Sequence, residues 1–460
     1  MSAIDNVLKN IDDNLESSLE RLFALVRMQS VSTDSAFAKY CAETAEHMKG
    51  DLDSLGFETK VHKTQGHPIV VGHAPKPGAL HVMFYGHYDV QPVDPLNLWD
   101  NPPFEPHLVE IEPGRKVITG RGACDDKGQV MTFLEALRAW KAETGSFPVA
   151  ITVVLEGEEE CGSNSLKAFV REHGDLMKAD LALVCDTGMW DRETPLITAS
   201  LRGMQFQQVT VRCADRDLHS GLFGGAARNP LHVLSKIVGE FHDENGRITI
   251  PHFYDGVHEP TNAQKAQWAD LGLTEDQFLG QVGLKHSMGE KGRLLIEQIQ
   301  SRPTCEVNGM WGGYIGEGSK TVIASEAHAK ITFRLVGDQE PTEIRKNFQE
   351  FVRARIPDDC TVEFIDSPGS KAISVPVDSP ALLKASAALE TEWSKKPVII
   401  GSGGSIPIVL DFKTVLGMDS LLIGFGLDDD RVHSPNEKYD LSSFHKGTRS
   451  WARILEALAK

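Results

Sequence analysis

Short apolar runs alternate with helical patterns from the N-terminus to about Arg202. His81–Tyr85, Val149–Leu155 and Leu181–Val184 have strand character, and Lys127–Lys141 has the spacing of a helix. This alternation predicts a mostly parallel sheet covered by helices. In such sheets, functional groups gather beyond the carboxyl ends of the strands. The polar residues that follow these runs are therefore the first candidates for a site.

The pattern changes after Arg202 and returns near Val375. In between, strand patterns such as Gln205–Cys213 accompany few helices, which indicates an α+β insert. We predict an α/β protein, with a three-layer catalytic domain on a mostly parallel sheet, interrupted by a smaller α+β domain. The predicted parts are residues 1–203 and 373–460 for the catalytic domain and residues 204–372 for the insert. A chain of 460 residues is long enough for this division.

The returning α/β part predicts helices at Pro380–Trp393 and Leu441–Leu458, with strands near Ile408 and Leu421. The last helix follows a polar segment around His433.

Composition excludes several classes of function. The net charge of −18 argues against nucleic acid as a partner, because phosphate binding needs an excess of Lys and Arg. The longest aliphatic run is far shorter than a membrane span of about 20 residues. The first residues lack a basic region followed by an apolar one, so we expect no signal peptide. Seven scattered cysteines without C-x-x-C spacing favour the reducing cytoplasm and no disulfide framework.

Three polar clusters follow predicted strands or open a predicted helix. In the first, His87 and Asp89 stand two apart at a strand end, so both side chains can point the same way. Asp89 would then orient the imidazole of His87 as a metal ligand. The alternative is a surface histidine beside a turn aspartate.

The second cluster is the Gly-rich segment Gly120–Gly128, which contains Asp125 and Asp126. A carboxylate here can bridge two cations, and glycines allow the tight backbone that aims it inward. The alternatives are an N-cap for the following helix, which suits Asp126, or a phosphate loop. The phosphate interpretation is weak because the glycine spacing matches neither common nucleotide-binding motif.

The third cluster places Glu156, Glu158, Glu159 and Glu160 at the end of an apolar strand. Ionised and buried together they would repel each other, and a cation would relieve this repulsion. Neighbours in extended chain point to opposite sides, so one Glu could bind metal while the next acts as general base. The alternative is a solvated acidic loop.

Two further residues complete a donor set. Asp186 follows a predicted strand, and His433 lies before the last helix. Together with the clusters they provide two imidazoles and three carboxylates, a mixed N/O set that suits a two-zinc site with open positions. The sequence contains neither G-x-S-x-G nor H-E-x-x-H. Three cysteines adjoin proposed ligands, and we expect them to pack into the scaffold: Cys124, Cys161 and Cys185.

The segments GHYDVQP, GRGACDDKG, EGEEECGS, DLHSGLFGG, FRLV, GGSIP and HSPNEKYDL occur in an order that resembles the dinuclear zinc peptidase family. This family includes carnosine dipeptidases, bacterial dipeptidases, acetylornithine deacetylase and succinyl-diaminopimelate desuccinylase. The resemblance covers nearly the whole chain and is greatest to the carnosine dipeptidase branch. It implies hydrolysis of a peptide bond in dipeptides or short peptides. An N-acyl amino acid deacylase and a catalytically inactive binding module remain the alternatives.

The resemblance also implies residue roles. His87 and Asp186 would hold one zinc ion, Glu160 and His433 the other, and Asp125 would bridge them through a segment with a cis Asp125–Asp126 bond. Glu159 would be the general base and Asp89 the support for His87. The insert would be a lid and homodimerisation domain whose His219 reaches the partner's site. The implied substrate contacts are Thr321, Arg334 and Ser405. Mn²⁺ and Co²⁺ would suit the same donors as zinc.

Overall fold

The structure is a computed structural model that describes residues 2–403 and 406–460. The chain divides into two compact units. The first unit contains the residues up to Ala199 together with Val375–Ile400 and Ile406–Lys460. The second contains Ser200–Ser374 with residues 401–403 of the described chain. These limits lie within a few residues of the division we predict, and the lid and dimerisation role of the insert stays a proposal.

The strands in the described ranges are, in chain order, β1 (Glu58–His62), β2 (Ile69–Ala74), β3 (His81–His87), β4 (His107–Glu112), β5 (Arg115–Thr119), β6 (Ala150–Glu156), β7 (Leu181–Val184), β8 (Leu196–Leu201), β9 (Gly203–Arg212), β10 (Leu218–His219), β11 (Thr304–Gly312), β12 (Val322–Ile323), β13 (Glu326–Leu335), β14 (Thr361–Asp366), β15 (Ile373–Ser374), β16 (Val398–Ser402), β17 (Asp419–Leu422) and β18 (Lys438–Asp440).

The α-helices in the same ranges are α1 (Ala3–Asp13), α2 (Leu15–Val26), α3 (Ala38–Ser54), α4 (Lys127–Thr144), α5 (Asn164–His173), α6 (Ser220–Phe223), α7 (Pro230–Gly239), α8 (Asn262–Asp270), α9 (Glu275–Leu279), α10 (Leu295–Gln300), α11 (Pro341–Arg353), α12 (Pro380–Trp393), α13 (Pro407–Thr414) and α14 (Leu441–Ala459). Across these described residues, every helix is too short or too polar to cross a lipid bilayer.

The main sheet of the first unit has the strand order β1-β2-β6-β3-β7-β17-β8. Its four central strands, β6, β3, β7 and β17, are parallel, which confirms the predicted sheet type. Antiparallel strands flank them on both sides. All seven residues of β6 are buried, as expected for a strand covered on both faces.

Aromatic packing beneath this sheet fixes the long helices. Phe84 of β3 stacks on Phe133 of α4 with ring centroids 3.9 Å apart, and Trp451 of α14 meets both rings edge-on. Each of these side chains is fully buried. Offset and edge-to-face contacts of this kind add to the free energy of apolar burial. As a result, α4 is held rigidly against the strand that ends at His87.

The second unit is built on a separate antiparallel sheet in the order β11-β13-β9-β14. Buried residues alternate with partly exposed ones along β9 and β13, so one face of the sheet carries a core. Phe333 and Phe348 form the centre of this core, with α7 and α11 against it.

One predicted strand is wrong. The chain at Ile408 is helical, within α13, and the strand of this region lies earlier, at Val398–Ser402. The apolar run Ile406–Leu410 is too short to distinguish helix from strand by periodicity. Pro407 decides between them, because it occupies the first turn of the helix, where its missing N–H costs nothing.

Candidate metal centre

The centre lies beyond the carboxyl ends of the central parallel strands of the first unit. β3 ends at His87, which is in register with Glu156 at the end of β6, and β7 ends two residues before Asp186. Parallel pairing brings these ends to one edge of the sheet. The side chains after them therefore meet, although they are far apart in sequence.

Asp125 lies between the two predicted histidine ligands. Its Oδ1 is 3.0 Å from Nε2 of His87, and its Oδ2 is 3.0 Å from Nε2 of His433. The two oxygens of one carboxylate thus face two different imidazoles. This is the arrangement that a bridging ligand between two cations requires.

Two groups of possible metal-donor side chains meet at the carboxylate of Asp125, which belongs to the second group. His87, Glu159 and Asp186 form one group, and Asp125, Glu160 and His433 form the other; the donor atoms within each group lie within 4.8 Å of one another. His433 Nε2 is also 3.1 Å from Oε2 of Glu160. The structure therefore brings together all five ligands predicted from the sequence, together with Glu159.

Asp89 contacts His87, Glu159 and Glu160 from the buried side of the site. The Nδ1 atom of His87 is 3.1 Å from the backbone carbonyl oxygen of Asp89 and 3.4 Å from its Oδ1. The carboxylate of Asp89 also accepts hydrogen bonds from the backbone N–H groups of Glu159 and Glu160, at 3.3 and 3.1 Å. It is fully buried. Asp89 thus orients the imidazole chiefly through its backbone carbonyl oxygen, while its carboxylate fixes the backbone of both glutamates.

The expected extended conformation at the glutamates is wrong. Glu159–Cys161 forms a 3₁₀ turn, and Asp89 accepts the N–H groups at its start. A turn still separates the two carboxylates, because consecutive side chains on a tight helix point in different directions. It also leaves Cys161 exposed, contrary to its expected packing role, whereas Cys124 and Cys185 are buried.

Asp126 does not cap α4 with its side chain. It occupies the N-cap position without a side-chain hydrogen bond to the helix, and its Oδ2 accepts the backbone N–H of His87 at 3.1 Å. The peptide bond between Asp125 and Asp126 is cis, as the resemblance implies. Both aspartates therefore serve the centre, one through its carboxylate between the imidazoles and one through the backbone of His87.

Burial and neighbouring charges shift the pKa values of several residues in the centre. Burial raises the pKa of Asp186 to about 8, and the nearby Asp125 carboxylate adds to this shift. Burial also raises the pKa of Glu159. Hydrogen bonds to Asp125 and Glu160 raise the pKa of His433 to about 10. These directions are those of an acidic cluster that gains stability from a positive charge.

The residues fit two divalent metal ions. Each donor group combines one imidazole nitrogen with carboxylate oxygens, the ligand set of catalytic zinc and manganese sites. The carboxylates outnumber the imidazoles, so bound cations would remove the repulsion among them. In addition, the second nitrogen of His87 is directed to Asp89, which leaves Nε2 available to a metal.

The remaining predicted residues lie in the second unit or outside the described residues. His219 is exposed at the end of β10, where its Nδ1 accepts the N–H of Gly221 at 3.0 Å. Thr321 is exposed immediately before β12. Arg334 is half-buried in β13 and pairs across the sheet with Met204 and Thr304. Ser405 lies outside the described residues.

Residues 83–457 match the model of the peptidase family M20/M25/M40. This chain belongs to that family. The matched segment includes every residue of both donor groups, from His87 to His433.

The relatives of this M20/M25/M40 peptidase include dipeptidases. A Cys-Gly metallodipeptidase of Candida albicans is 30% identical over 96% of this chain and 94% of its own length. The solved structure of the di-peptidase Dug1p from Saccharomyces cerevisiae is similar with a TM-score of 0.77 and 27% identity, covering 100% and 99% of the two chains. The structure of human carnosine dipeptidase 1 is similar with a TM-score of 0.78 and 26% identity, and it covers the same shares of the two chains. The resemblance to the carnosine dipeptidase branch is thereby confirmed.

Sequence reasoning missed Arg202. It is 8% exposed, and in the described chain its Nε has no hydrogen-bond partner. Arg202 lies between β8 and β9, two residues before Met204, which pairs with Arg334. Burial lowers the pKa of Arg202 to about 10, and Arg334 contributes. The only sequence signal was its place between two strand patterns, where a lone arginine resembles a surface residue.

Proposed function

We propose that this chain is a dinuclear metal-dependent dipeptidase that prefers zinc and cleaves dipeptides or short peptides. The observation that carries the proposal is the carboxylate of Asp125, with one oxygen 3.0 Å from each of two imidazoles. The named relatives favour a peptide bond as the target over the amide of an N-acyl amino acid.

In this proposal His87 and Asp186 would hold one metal ion and Glu160 and His433 the other, with Asp125 as a ligand that both would share. When bound, the ions would acidify water and polarise the substrate carbonyl group. Glu159 accepts the proton of the attacking water and later delivers it to the leaving amine. Its position beside His87 and Asp186, with its backbone held by Asp89, supports this role.

Substrate recognition is assigned to the second unit, with Ser405 as a further contact. Arg334 and Thr321 would bind the terminal carboxylate of the substrate, and His219 would stabilise the developing oxyanion. Arg202 supports this assignment, because its guanidinium is buried and its Nε–H, which lacks a described hydrogen-bond partner, is available to donate to a carboxylate. An arginine can grip a carboxylate with two parallel hydrogen bonds.

The experiment that tests the activity is a substrate panel assayed with zinc, manganese or cobalt. Dipeptides that include Cys-Gly and β-Ala-His would be compared with N-acetyl and N-succinyl amino acids. Turnover of dipeptides at least tenfold above the acylated amino acids supports the proposal. The reverse preference would establish the deacylase, and metal binding without turnover of either class would leave a binding module.

The carboxylate contact has its own test. We expect Arg334→Gln to raise KM for a free dipeptide about 10- to 100-fold, because hydrogen bonds between charged groups are lost. A C-terminally amidated dipeptide should be cleaved poorly by the unmodified enzyme and little worse by the variant. Arg212→Gln is the matched control, since Arg212 lies on β9 and is paired with Glu326 at 2.7 Å. An equal loss on both substrates would contradict the assignment.

We also propose a homodimer formed through the second unit. β11 is an edge strand, and the exposed apolar side chains of Met310 and Trp311 lie on it, with Ile315 86% exposed in the loop beyond. An exposed strand edge with apolar side chains is suited to pairing with a second copy. Light scattering coupled to gel filtration tests the dimer, and Trp311→Glu should shift it toward monomer.

A complementation experiment tests the proposed exchange of His219 between subunits. His219→Ala and Glu159→Gln would each be inactive alone. A mixed dimer would combine the intact Glu159 of one chain with the intact His219 of its partner, so activity should return in the mixture. If the mixture stays inactive although mass spectrometry detects mixed dimers, His219 does not act in trans.

The cytoplasm is the proposed location, and neither nucleic acid nor membrane is a proposed partner. The described cysteines are free thiols, and the net charge is −18. Cell fractionation tests the location. Recovery of the protein from an oxidising compartment with intramolecular disulfides would contradict it.

A further inference from the structure

The Gly-rich loop that precedes α4 closes around a carboxylate of the protein itself. Oε2 of Glu437 accepts the backbone N–H of Gly122 at 3.0 Å and Nη1 of Arg121 at 2.7 Å. Oε1 accepts the backbone N–H groups of Cys124 and Asp125 at 3.0 and 3.1 Å. The side chain of Glu437 is fully buried. The carboxylate of Glu437 thus accepts three backbone N–H groups of this loop and one guanidinium N–H.

This carboxylate joins chain segments that carry different metal ligands. It binds the backbone of Asp125 directly, and it lies four residues after His433 in the same loop. The backbone carbonyl oxygen of Glu437 also accepts the N–H of Gly120 at 3.0 Å. Nη2 of Arg121 donates to the carbonyl oxygen of Pro92 at 3.0 Å, in the segment that follows His87 and Asp89. A single buried ion pair therefore connects three segments of the centre.

We propose that Glu437 is a positioning residue that fixes Asp125 and His433 in the geometry required by two metal ions. It acts through the backbone of the loop and has no contact of its own with the substrate. The assignment rests on the proposed metal centre and adds a determinant of metal affinity. Removal of a group that hydrogen-bonds to a metal ligand and orients it lowers metal affinity about 10- to 100-fold.

Glu437→Gln is the informative variant because it keeps the size of the side chain. An amide provides one acceptor oxygen instead of two, and its NH₂ group would face N–H donors of the loop. We expect the dissociation constant for Zn²⁺, measured by titration of the metal-free protein with a competing chelator, to rise about 10- to 100-fold. We also expect the visible absorption spectrum of the Co²⁺-loaded protein to change, because ligand geometry determines it.

Asp440→Asn is the matched control. Asp440 is a buried carboxylate three residues further on, it pairs with Arg115 at 2.8 Å, and its described hydrogen bonds avoid the loop of Asp125. This variant should lower the melting temperature to a similar extent as Glu437→Gln. Its affinity for Zn²⁺ should stay within twofold of that of the unmodified protein. The absorption spectrum of its Co²⁺-loaded form should be unchanged.

Glu437→Asp provides a second measurement, since it keeps the charge but is one methylene shorter. We expect it to fold and to bind Zn²⁺ with an affinity between the unmodified protein and Glu437→Gln. The proposal would be overturned if both Glu437 variants had the same Zn²⁺ affinity and Co²⁺ spectrum as Asp440→Asn. It would also be overturned if neither Glu437 variant folded. These metal-binding measurements use no substrate. They would therefore remain valid even if the substrate panel showed no dipeptidase activity.

Discussion

Glu159 and Glu160 are neighbours in sequence and belong to different donor groups of the centre. The separation arises from the 3₁₀ turn that Asp89 holds through both backbone N–H groups. Sequence alone predicted that one of the pair binds metal and the other acts as base. At the scale of the residue, the deciding contact is a buried carboxylate seventy residues earlier in the chain.

Glu159→Gln should keep both metal ions and lose most turnover. The side chain keeps its size, while the ability to accept a proton is removed, and general-base groups contribute about 10²- to 10⁴-fold to rate. Metal content by mass spectrometry and kcat on a dipeptide check this outcome. Glu158→Gln is the control, since Glu158 bonds to the backbone N–H groups of His67 and Ser165. Full turnover in Glu159→Gln with intact metals would remove the general-base role.

At the scale of elements, α4 determines how firmly the centre is held. It begins directly after the Asp125–Asp126 pair and is buried over most of its length, against α1, α2 and α14. Glu135 on this helix is 4% exposed and bonds to Ser18 and Arg21 of α2. Its periodicity was readable from the sequence, but its partners were not, because hydrogen bonds between helices leave no local pattern.

Glu135→Gln should destabilise the fold at neutral pH by about 2 kcal/mol, the value of hydrogen bonds to a charged group. Burial acts to raise the pKa of Glu135, but Arg21 and Arg138 hold it below the usual value. A lowered pKa contributes stability above the unfolded value of about 4.3, and this contribution is lost as pH falls through the folded value. The difference in the free energy of unfolding between Glu135→Gln and the unmodified protein should therefore shrink below about pH 4.

Urea unfolding followed by circular dichroism from pH 3 to pH 8 provides the measurement. Glu143→Gln is the control, because Glu143 lies on the same helix and is exposed. A difference for Glu135→Gln that stays constant over this range would show that its ionisation contributes nothing to stability.

At the scale of the whole molecule, the candidate metal centre joins parts of the first unit that are distant in sequence. Asp125 and His433 are 308 positions apart in the chain and lie 3.0 Å apart through Oδ2 and Nε2. Burial, followed by the nearby Asp125 carboxylate, raises the pKa of Asp186 to about 8, so negative charge is unfavourable in the centre unless a cation balances it. Metal ions should therefore stabilise the fold as well as support catalysis.

Removal of metal by a chelator at neutral pH should abolish activity and lower the melting temperature. A ligand that binds only the folded state adds about 4 kcal/mol when its concentration is a thousandfold above its dissociation constant. Differential scanning calorimetry of metal-free and zinc-loaded protein measures this difference, and added Zn²⁺ should restore both properties. Unchanged melting with full activity after verified metal removal would contradict the dinuclear assignment.

The sequence by itself determined the fold class and predicted the residues of the candidate metal centre, because hydrophobic periodicity reports local structure and the strand ends carry the polar clusters. It misassigned the strand near Ile408, since a short apolar run suits either structure until Pro407 is placed at a helix start. Only the tertiary structure decided that Asp125 faces both imidazoles, that Asp126 serves His87, and that Glu437 fills the Gly-rich loop. These are contacts between segments distant in sequence, and hydrogen bonds over such distances follow from chain packing, which residue spacing does not encode.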